Sequence, residues 1–335
     1  MPNQSILISI LNWNTADATL ACVQSVLDLA SPAGMAVSLI VIDNGSENDD
    51  FDRLQQGLTK HTQRNLVLHR EDVNRGFAGG HNIAIRRAID QENDFIWLVN
   101  SDALIDEPDT LSTLAAAMLA DRKCGATSPV IMTLDNARKV QFAGATHDWH
   151  RRQSPRFDIE ESKKLHERSA EHLWVLGTAI LFRVEALREV GELDERLFAY
   201  FEDDDIAARL SRAGWCSRVV FDAVVRHPQF RTETDRPAYY FYLMKRNYLF
   251  FWYKHTPAPY RKMLFLKLLD QSLFEANKLY RKGFVRQGDA SLLGIYDFMM
   301  RRYGPPDLSR PVPIAMKLLC KLFRVQQAQA LANLK

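Results

Sequence analysis

The feature that most constrains this chain is a repeated unit: a short apolar run, a few polar residues, then a stretch at helical spacing. Ile6–Leu11 and Val37–Ile42 are such runs, whose continuous apolar character predicts strands covered on both faces, and Asn65–His69 and Phe95–Val99 read as a third and a fourth strand. Between the first two, Thr15–Leu29 carries Leu20, Val23, Val26 and Leu27 at helical spacing. Strand and helix alternating through short connections predicts a mostly parallel sheet with helices on both faces. Such sheets bind ligands at the carboxyl ends of their strands, near the point where strand order reverses. The polar punctuation falls at those ends: Asn12 and Asn14, Asp43, the glycine loop over 74–80, and Asp102.

The next stretch is less regular. Val130–Met132, Val140–Phe142 and Val219–Val225 read as strands, and Leu173–Arg183 as a buried strand interrupted by Gly177. Arg151–Ser169 reads as a charged loop or helix, and Ile206–Ala213 as a helix stopped by Gly214. Beyond Pro237 the pattern is helical, with Gly/Pro breaks at 256–259, 283–288 and 304–313. This divides the 335 residues into an α/β domain over 1–236 and a helical region over 237–335.

The charge balance follows the same division. The formal net charge is +2, yet Arg226 to the C-terminus holds 20 basic and 7 acidic side chains, leaving the first 225 residues at −11. Carboxylates concentrate in the α/β part and cations in the helical part. The four cysteines are scattered without a CxxC pair, which argues against a zinc site or disulfide framework and for a reducing, cytoplasmic setting. The N-terminus lacks the basic flank and apolar length of a signal peptide, and no window reaches 18 apolar residues, so a membrane span is not expected.

Several residues could carry chemistry. Asp102, at the tip of an apolar strand beside Asn100 and Ser101, can ligate a hard cation such as Mg²⁺ or Mn²⁺, or cap the helix near Pro108. Gly76, Gly79 and Gly80 allow close backbone approach to a ligand at a helix start placed near His81 or Asn82. The loop is neither G-x-G-x-x-G nor a Lys-Ser/Thr-ended phosphate loop. Asp43 can accept the ring N–H of a pyrimidine, or simply belong to an Asp-Asn-Gly-Ser turn. Glu202, Asp203, Asp204 and Asp205 form a run of mutually repelling acids. Asp203 or Asp204 is predicted to cap the following helix, and an ionised Asp facing a site can take a proton from an attacking hydroxyl. His227, just past a strand, reads as a metal ligand, a phosphate partner or a structural residue.

In order along residues 5–250, the set resembles the family 2 glycosyltransferases of the GT-A fold, in particular their bacterial rhamnosyltransferase-like branch. The resemblance rests on Ser9–Asn14, Val41–Ser46, Asn74–Asn82, Leu98–Asp102, Gly177–Arg183, Gly191–Glu195 and Phe198–Ile206, with His227 and Lys245-Arg-Asn247. It implies a nucleotide-diphospho-sugar transferase fold with a C-terminal helical extension. It also implies that Asn12, Asn14 and Asp43 line the base and ribose, with Asn74, Gly79, Gly80 and Asn82 nearby. Asn100-Ser101-Asp102 stands where the family has its DxD motif, with Asn in the first acidic place, so Asp102 would hold the metal. Glu202-Asp203 matches the acidic pair, with Asp203 as catalytic base; Asp204 stands where the branch has an apolar residue. His227 matches a further metal ligand, although Pro228 and Gln229 depart from the pattern.

The expected activity is therefore inverting, metal-dependent sugar transfer. The donor would be dTDP-rhamnose, or a UDP-sugar as second choice, and the acceptor a surface polysaccharide or lipid-linked saccharide of the bacterial envelope. The competing readings are a sugar-phosphate nucleotidyltransferase and a non-catalytic saccharide-binding or scaffold protein. The helical region mixes aromatics and cations over 238–282, with amphipathic stretches at Met263–Leu273 and Ile314–Phe323 flanked by lysines and Arg324. Peripheral contact with an anionic membrane at its inner face is the expectation, against plain packing or a homodimer interface. No nucleic-acid module is present.

Overall fold

The apolar runs form one side of an eight-stranded sheet, from its edge to its centre. In a computed structural model that describes residues 4–61, 65–135, 139–169, 173–229, 232 and 235–322, β1 (Gln4–Asn12), β2 (Met35–Asn44), β3 (Leu66–Glu71) and β4 (Phe95–Asn100) pair in parallel in the order β3-β2-β1-β4. The helices α1 (Ala16–Leu27), α2 (Asn48–Leu58), α3 (Gly76–Asp90) and α4 (Thr110–Ala120) connect and follow them. Alternate residues point to opposite faces of a strand, and the core divides accordingly. Ile6, Ile8, Ile10, Val41 and Trp97 pack with Val23, Leu54 and Leu114 of α1, α2 and α4. Leu7, Ile40, Ile42 and Leu98 pack on the other face with Ile85 of α3. Fully burying one such aliphatic side chain contributes roughly 1.5–3 kcal/mol, so both faces of β1 and β4 are committed to core.

The second half completes the sheet differently from a simple parallel continuation. β5 (Cys124–Thr133) and β6 (Val140–Phe142) pair with each other, and the two-residue strands β7 (Ala145–Thr146) and β8 (Leu173–Trp174) form a small ribbon of their own. β9 (Ala179–Arg183) enters the main sheet antiparallel between β4 and β5, and β10 (Cys216–His227) pairs parallel with β5 at the edge. The predicted Leu173–Arg183 strand is thus two strands in two sheets. Thr178 and Gly177 between them turn the chain over the carboxyl end of β4, where the Asn100 N–H donates to the Thr178 carbonyl at 2.9 Å. The remaining helices of this unit are α5 (Ile159–Ser169), α6 (Val184–Val190) and α7 (Glu202–Arg212).

The sequence places two helix starts too late. α3 begins at Gly76 rather than near His81, because the Asn74 side chain accepts the Gly76 N–H at 2.7 Å and Asn44 accepts the Arg75 N–H at 3.0 Å. α7 begins at Glu202, so the acidic run is its first turn rather than a cap before it. Acids there remain favourable against the helix dipole.

The chain divides into two compact units, one of residues 1–195 with 202–229 and one of 196–201 with 230–335. In the second, α8 (Ala238–His255), α9 (Arg261–Arg281), α10 (Val285–Met299) and a helix over 314–322 pack together. The aromatics of α8 that suggested a membrane flank are largely core: Phe241, Tyr242, Phe250, Phe251 and Trp252 are buried. α8 and α10 touch at Gly294, where any Cβ would sit 2.3 Å from the Tyr242 carbonyl oxygen. Phe323 and Arg324, read as continuing the last helix, lie outside the described residues.

Within this unit the turn over 196–201 holds three non-glycine residues at positive φ: Phe198 at 66°, Tyr200 at 69° and Phe201 at 72°. Such backbone costs of order 1–3 kcal/mol per residue and persists only where its surroundings hold it. Buried Arg246 and Asn247 do so. Arg246 donates to the Leu197 carbonyl at 2.9 Å, and the Asn247 amide to the Leu197, Ala199 and Tyr200 carbonyls at 2.9, 2.8 and 2.8 Å.

Candidate active site

The strand order places β1 and β4 side by side with the chain continuing from them in opposite directions along the sheet, to β2 and to β5, which opens a crevice at their carboxyl ends. Asn12 and Asn100 close those two strands. Asn12 is fully buried and fully used. Its amide nitrogen donates to Asp43 at 2.9 Å, Ser46 at 3.1 Å and Asp50 at 3.1 Å, while its oxygen accepts from Thr19 at 2.7 Å. Asp43 is 0% exposed and also lies 3.7 Å from the Arg70 guanidinium. These two residues form a rigid floor rather than an open surface. Asn14 stands above them, exposed, with φ at 54°, its N–H on Ser46 at 2.9 Å and its side chain accepting the Glu47 N–H at 2.8 Å.

Asp50 was not legible as part of this network. It looks like one more acid on a polar helix, yet it is buried and accepts the Ala16 N–H at 3.0 Å, capping α1 from a neighbouring helix. Arg70, which lies 3.8 Å from the Phe51 ring centre, is the cation at this rim and was likewise missed.

In the glycine loop, Asn44 donates to Asn74 and to the Gly76 carbonyl, both at 3.1 Å. A Cβ on Gly80 would meet the Leu11 side chain at 2.4 Å, and one on Gly79 the Arg75 Cβ at 2.8 Å. These glycines let α3 lie against β1 and its own first turn. Gly45 is the more restrictive position: φ is 72°, and a Cβ would lie 2.5 Å from the Val73 carbonyl carbon. Asn82 points away from the crevice, donating to the Leu193 carbonyl at 2.9 Å and Glu195 at 3.0 Å. Its neighbour His81 is enclosed against Ser9 at 2.9 Å, and burial pushes its pKa down to about 3, so it is neutral.

Across the crevice the structure brings together Asp102 and His227, which are far apart in sequence. A β-bridge between Leu104 and Arg226, with 2.8 Å hydrogen bonds in both directions, lays the end of β10 beside the loop after β4. An ion pair between Arg226 and Asp106 braces that bridge. His227 Nε2 then lies 3.1 Å from Asp102 Oδ1 and 3.2 Å from the Asn100 amide nitrogen. The Gln141 side-chain amide lies 3.2–3.3 Å from Nδ1 and anchors the ring so that Nε2 faces Asp102 and Asn100. Ser101 sits at the rim, 3.4 Å from the Thr15 hydroxyl.

This donor set suits a hard divalent cation. Two ligand atoms at about 2.1 Å and right angles from an ion lie about 3.0 Å apart, close to the observed 3.1 Å. Asn100 Oδ1 beside them is a buried acceptor without a hydrogen-bond partner. Among the described residues no group of three or more His, Cys, Asp or Glu side chains could hold an ion by itself.

The acidic turn resolves into four roles. Asp205 is buried and paired with Arg209 at 2.9 Å, and Asp204 accepts from His147 and Ser154, each at 3.0 Å. Glu202 is buried with Oε2 unpartnered, and burial together with the Asp203 charge holds its carboxyl well above the usual range. Asp203 retains partial exposure; it accepts the Gly177 N–H at 3.0 Å and the Asp204 N–H at 3.0 Å. Burial, with the Asp204 charge adding to it, raises its pKa to about 6. Gly177 is next to Thr178, which bonds Asn100. The antiparallel entry of β9 thus ties Asp203 to the strand end that carries Asp102.

A family model described as "Glycosyltransferase like family 2" matches residues 2–249. The chain belongs to that glycosyltransferase family. An N-acetylglucosaminyl-diphospho-decaprenol L-rhamnosyltransferase of Mycobacterium tuberculosis is 37% identical over 84 residues, covering 25% of this chain and 27% of that protein. A galactofuranosyltransferase of the same organism is 28% identical over 156 residues, 46% of this chain and 49% of that protein. The chain therefore spans about a quarter to a half of the length of these curated relatives. Among solved structures, a mannosyltransferase from Pyrobaculum calidifontis in complex with GDP-Man and Mn²⁺ superposes with a TM-score of 0.56 at 16% identity, covering 90% of this chain and 89% of the other. S. aureus TarS 1-349 with UDP-GlcNAc gives 0.57 at 15% identity, covering 98% and 89%. The fold of this family member is GT-A.

Proposed function

We propose that this family 2 protein transfers a sugar, with inversion, from a nucleoside-diphosphate sugar to an acceptor hydroxyl. The observation that carries the proposal is the joining of two sites through one strand end. Asp102 and His227 meet at 3.1 Å, and the Asn100–Thr178 bond links them to the Gly177 N–H that holds Asp203. A parallel-sheet crevice with a hard-cation pair on one side and a partly exposed carboxylate on the other suits a diphosphate leaving group and an incoming hydroxyl.

In this mechanism Asn12 and Asp43 form the floor under the base, and Asn14 and Arg70 are its exposed neighbours. Asn74, Gly79 and Gly80 shape the α3 end of the site, with Gly80 against Leu11 of β1, whereas Asn82 ties α3 to the 193–195 segment behind it. Asn100, Ser101, Asp102 and His227 face the diphosphate, and a cation bound by Asp102 and His227 supplies charge neutralisation there, with Mg²⁺ or Mn²⁺ the fitting ions. Asp203 accepts the proton of the acceptor hydroxyl as that oxygen bonds to the anomeric carbon and the bond to the phosphate oxygen breaks. Burial and the Asp203 charge disfavour ionisation of Glu202, which limits negative charge on the acceptor side.

The partial likeness to the mycobacterial rhamnosyltransferase supports dTDP-rhamnose as donor and a lipid-linked or polysaccharide acceptor; a UDP-sugar is the second choice. Against a nucleotidyltransferase stands the exit of β1, Asn12-Trp-Asn14 rather than a glycine-rich basic loop. The co-location of Asp102, His227 and Asp203 disfavours a scaffold role. Thermal-shift measurements with dTDP, UDP and GDP sugars, with and without Mn²⁺, test the proposal. Metal-dependent stabilisation by one base that is lost in Asp102→Ala is expected; no stabilisation by any of them would overturn it.

A further inference from the structure

Of 16 large apolar side chains exposed among the described residues, 12 belong to the second unit, so its surface is not that of an ordinary soluble helical domain. They are also ordered. On α9, Met263, Leu266 and Phe274 lie on one exposed stripe, with Met263 69% exposed. On the helix over 314–322, Ile314, Leu318 and Leu322 recur at every fourth residue, with Ile314 77% exposed. Lys262, Lys267 and Lys278 accompany the first stripe and Lys317 and Lys321 the second, all exposed. The two helices are joined where the Asn277 amide donates to the Cys320 carbonyl at 3.2 Å, and Lys278 and Lys321 directly follow these contact residues. A groove of about 640 Å³ between α8 and α9 shares Phe274 and Lys278 with the stripe and adds Phe241, Met244, Arg236 and Lys282.

We infer that the outward faces of α9 and of the 314–322 helix dock on an anionic lipid bilayer. Charge decides between the candidate occupants. Asp270 is the one exposed acid between Met263 and Phe274, so pairing this face with a second copy would set lysines against lysines. An anionic bilayer instead offers headgroup charge to the lysines and acyl chains to the apolar side chains between them. The lysine stems span the headgroup layer with their ammonium groups outward. Neither Asp102 nor Asp203 enters this inference, so it stands or falls apart from the proposed chemistry.

Flotation with vesicles tests it on the full chain. Binding to phosphatidylglycerol-containing vesicles at about 0.1 M salt is expected, with little binding to pure phosphatidylcholine and marked release at about 0.5 M salt. Each surface lysine contributes roughly fivefold in partitioning, so removing three already costs on the order of 100-fold and the charge-reversed variant Lys267→Glu, Lys278→Glu, Lys321→Glu should lose at least that. Ile314→Asn with Leu318→Asn should weaken the binding that survives high salt. All five positions are exposed, and circular dichroism checks that the variants stay folded. Transfer to a soluble acceptor should be unchanged in them. Wild-type protein that stays unbound overturns the inference, as does a triple variant that floats like wild type. A dimer dispersed by Ile314→Asn with Leu318→Asn, without vesicle binding, overturns it in favour of self-association.

Discussion

Replacing Asp203 by Asn separates catalysis from stability at a single atom. In the native chain, burial and the Asp204 charge raise the Asp203 pKa from 3.8 to about 6, so its ionised form is disfavoured in the fold. The unfolded chain returns the group to its ordinary value, and the wild-type fold therefore loses stability as pH rises through the interval from about 4 to about 6. A shift of about two units corresponds to roughly 3 kcal/mol at the upper limit, and partial exposure reduces this to on the order of 1–2 kcal/mol. Asn keeps an oxygen for the Gly177 N–H but carries no charge. The variant should be more stable than wild type at neutral pH, by a margin that vanishes near pH 4. Transfer should fall by a factor of about 10²–10⁴, the usual contribution of a positioned base. In the wild type, kcat/KM should decline tenfold per pH unit below about 6, because only the ionised carboxylate accepts the proton. Urea unfolding across pH and a coupled nucleotide-release assay measure these. A wild-type rate flat down to pH 4.5 would refute a base with a raised pKa, and an Asn variant with near-native turnover would refute the base itself.

Further outcomes follow from the same geometry. Gln141→Leu, which removes the partner of the other ring nitrogen, should weaken metal affinity by about 10–100-fold, read as a displaced Mn²⁺ titration, and His227→Ala should weaken it at least as much. Gly45→Ala forces a Cβ to 2.5 Å from the Val73 backbone at φ 72°, and should cost about 1–3 kcal/mol in chemical unfolding. Asn247→Ala removes three hydrogen bonds to the left-handed turn before Glu202, where the Leu197 carbonyl keeps its Arg246 donor, and should cost roughly 2–3 kcal/mol. Its kcat should fall further than donor affinity changes, because the residues freed lead directly into the acidic turn.

Local sequence chemistry determined much of this protein. Ile6–Leu11 and Phe95–Val99 are apolar on both sides, which forces them into the centre of a layered sheet, and that places Asn12, Asp43 and Asp102 at strand ends. The family motifs along residues 5–250 added the GT-A reading. Tertiary structure alone decided which of these residues meet and which are consumed. Hydrogen-bond capacity is finite: Asn82 is spent on Leu193 and Glu195, and Asp204 on His147 and Ser154. Asp203 is thereby left as the partly exposed acid. No local pattern contains the antiparallel entry of β9 or the Leu104–Arg226 bridge, because strand pairing depends on the register of distant segments. Those pairings bring His227 to Asp102 and Gly177 to Asp203. The charge split was legible in composition. Which cations face solvent beside apolar side chains was settled by packing, because α8 buries most of its aromatics whereas α9 and the 314–322 helix leave Met263, Leu266, Phe274, Ile314, Leu318 and Leu322 outside.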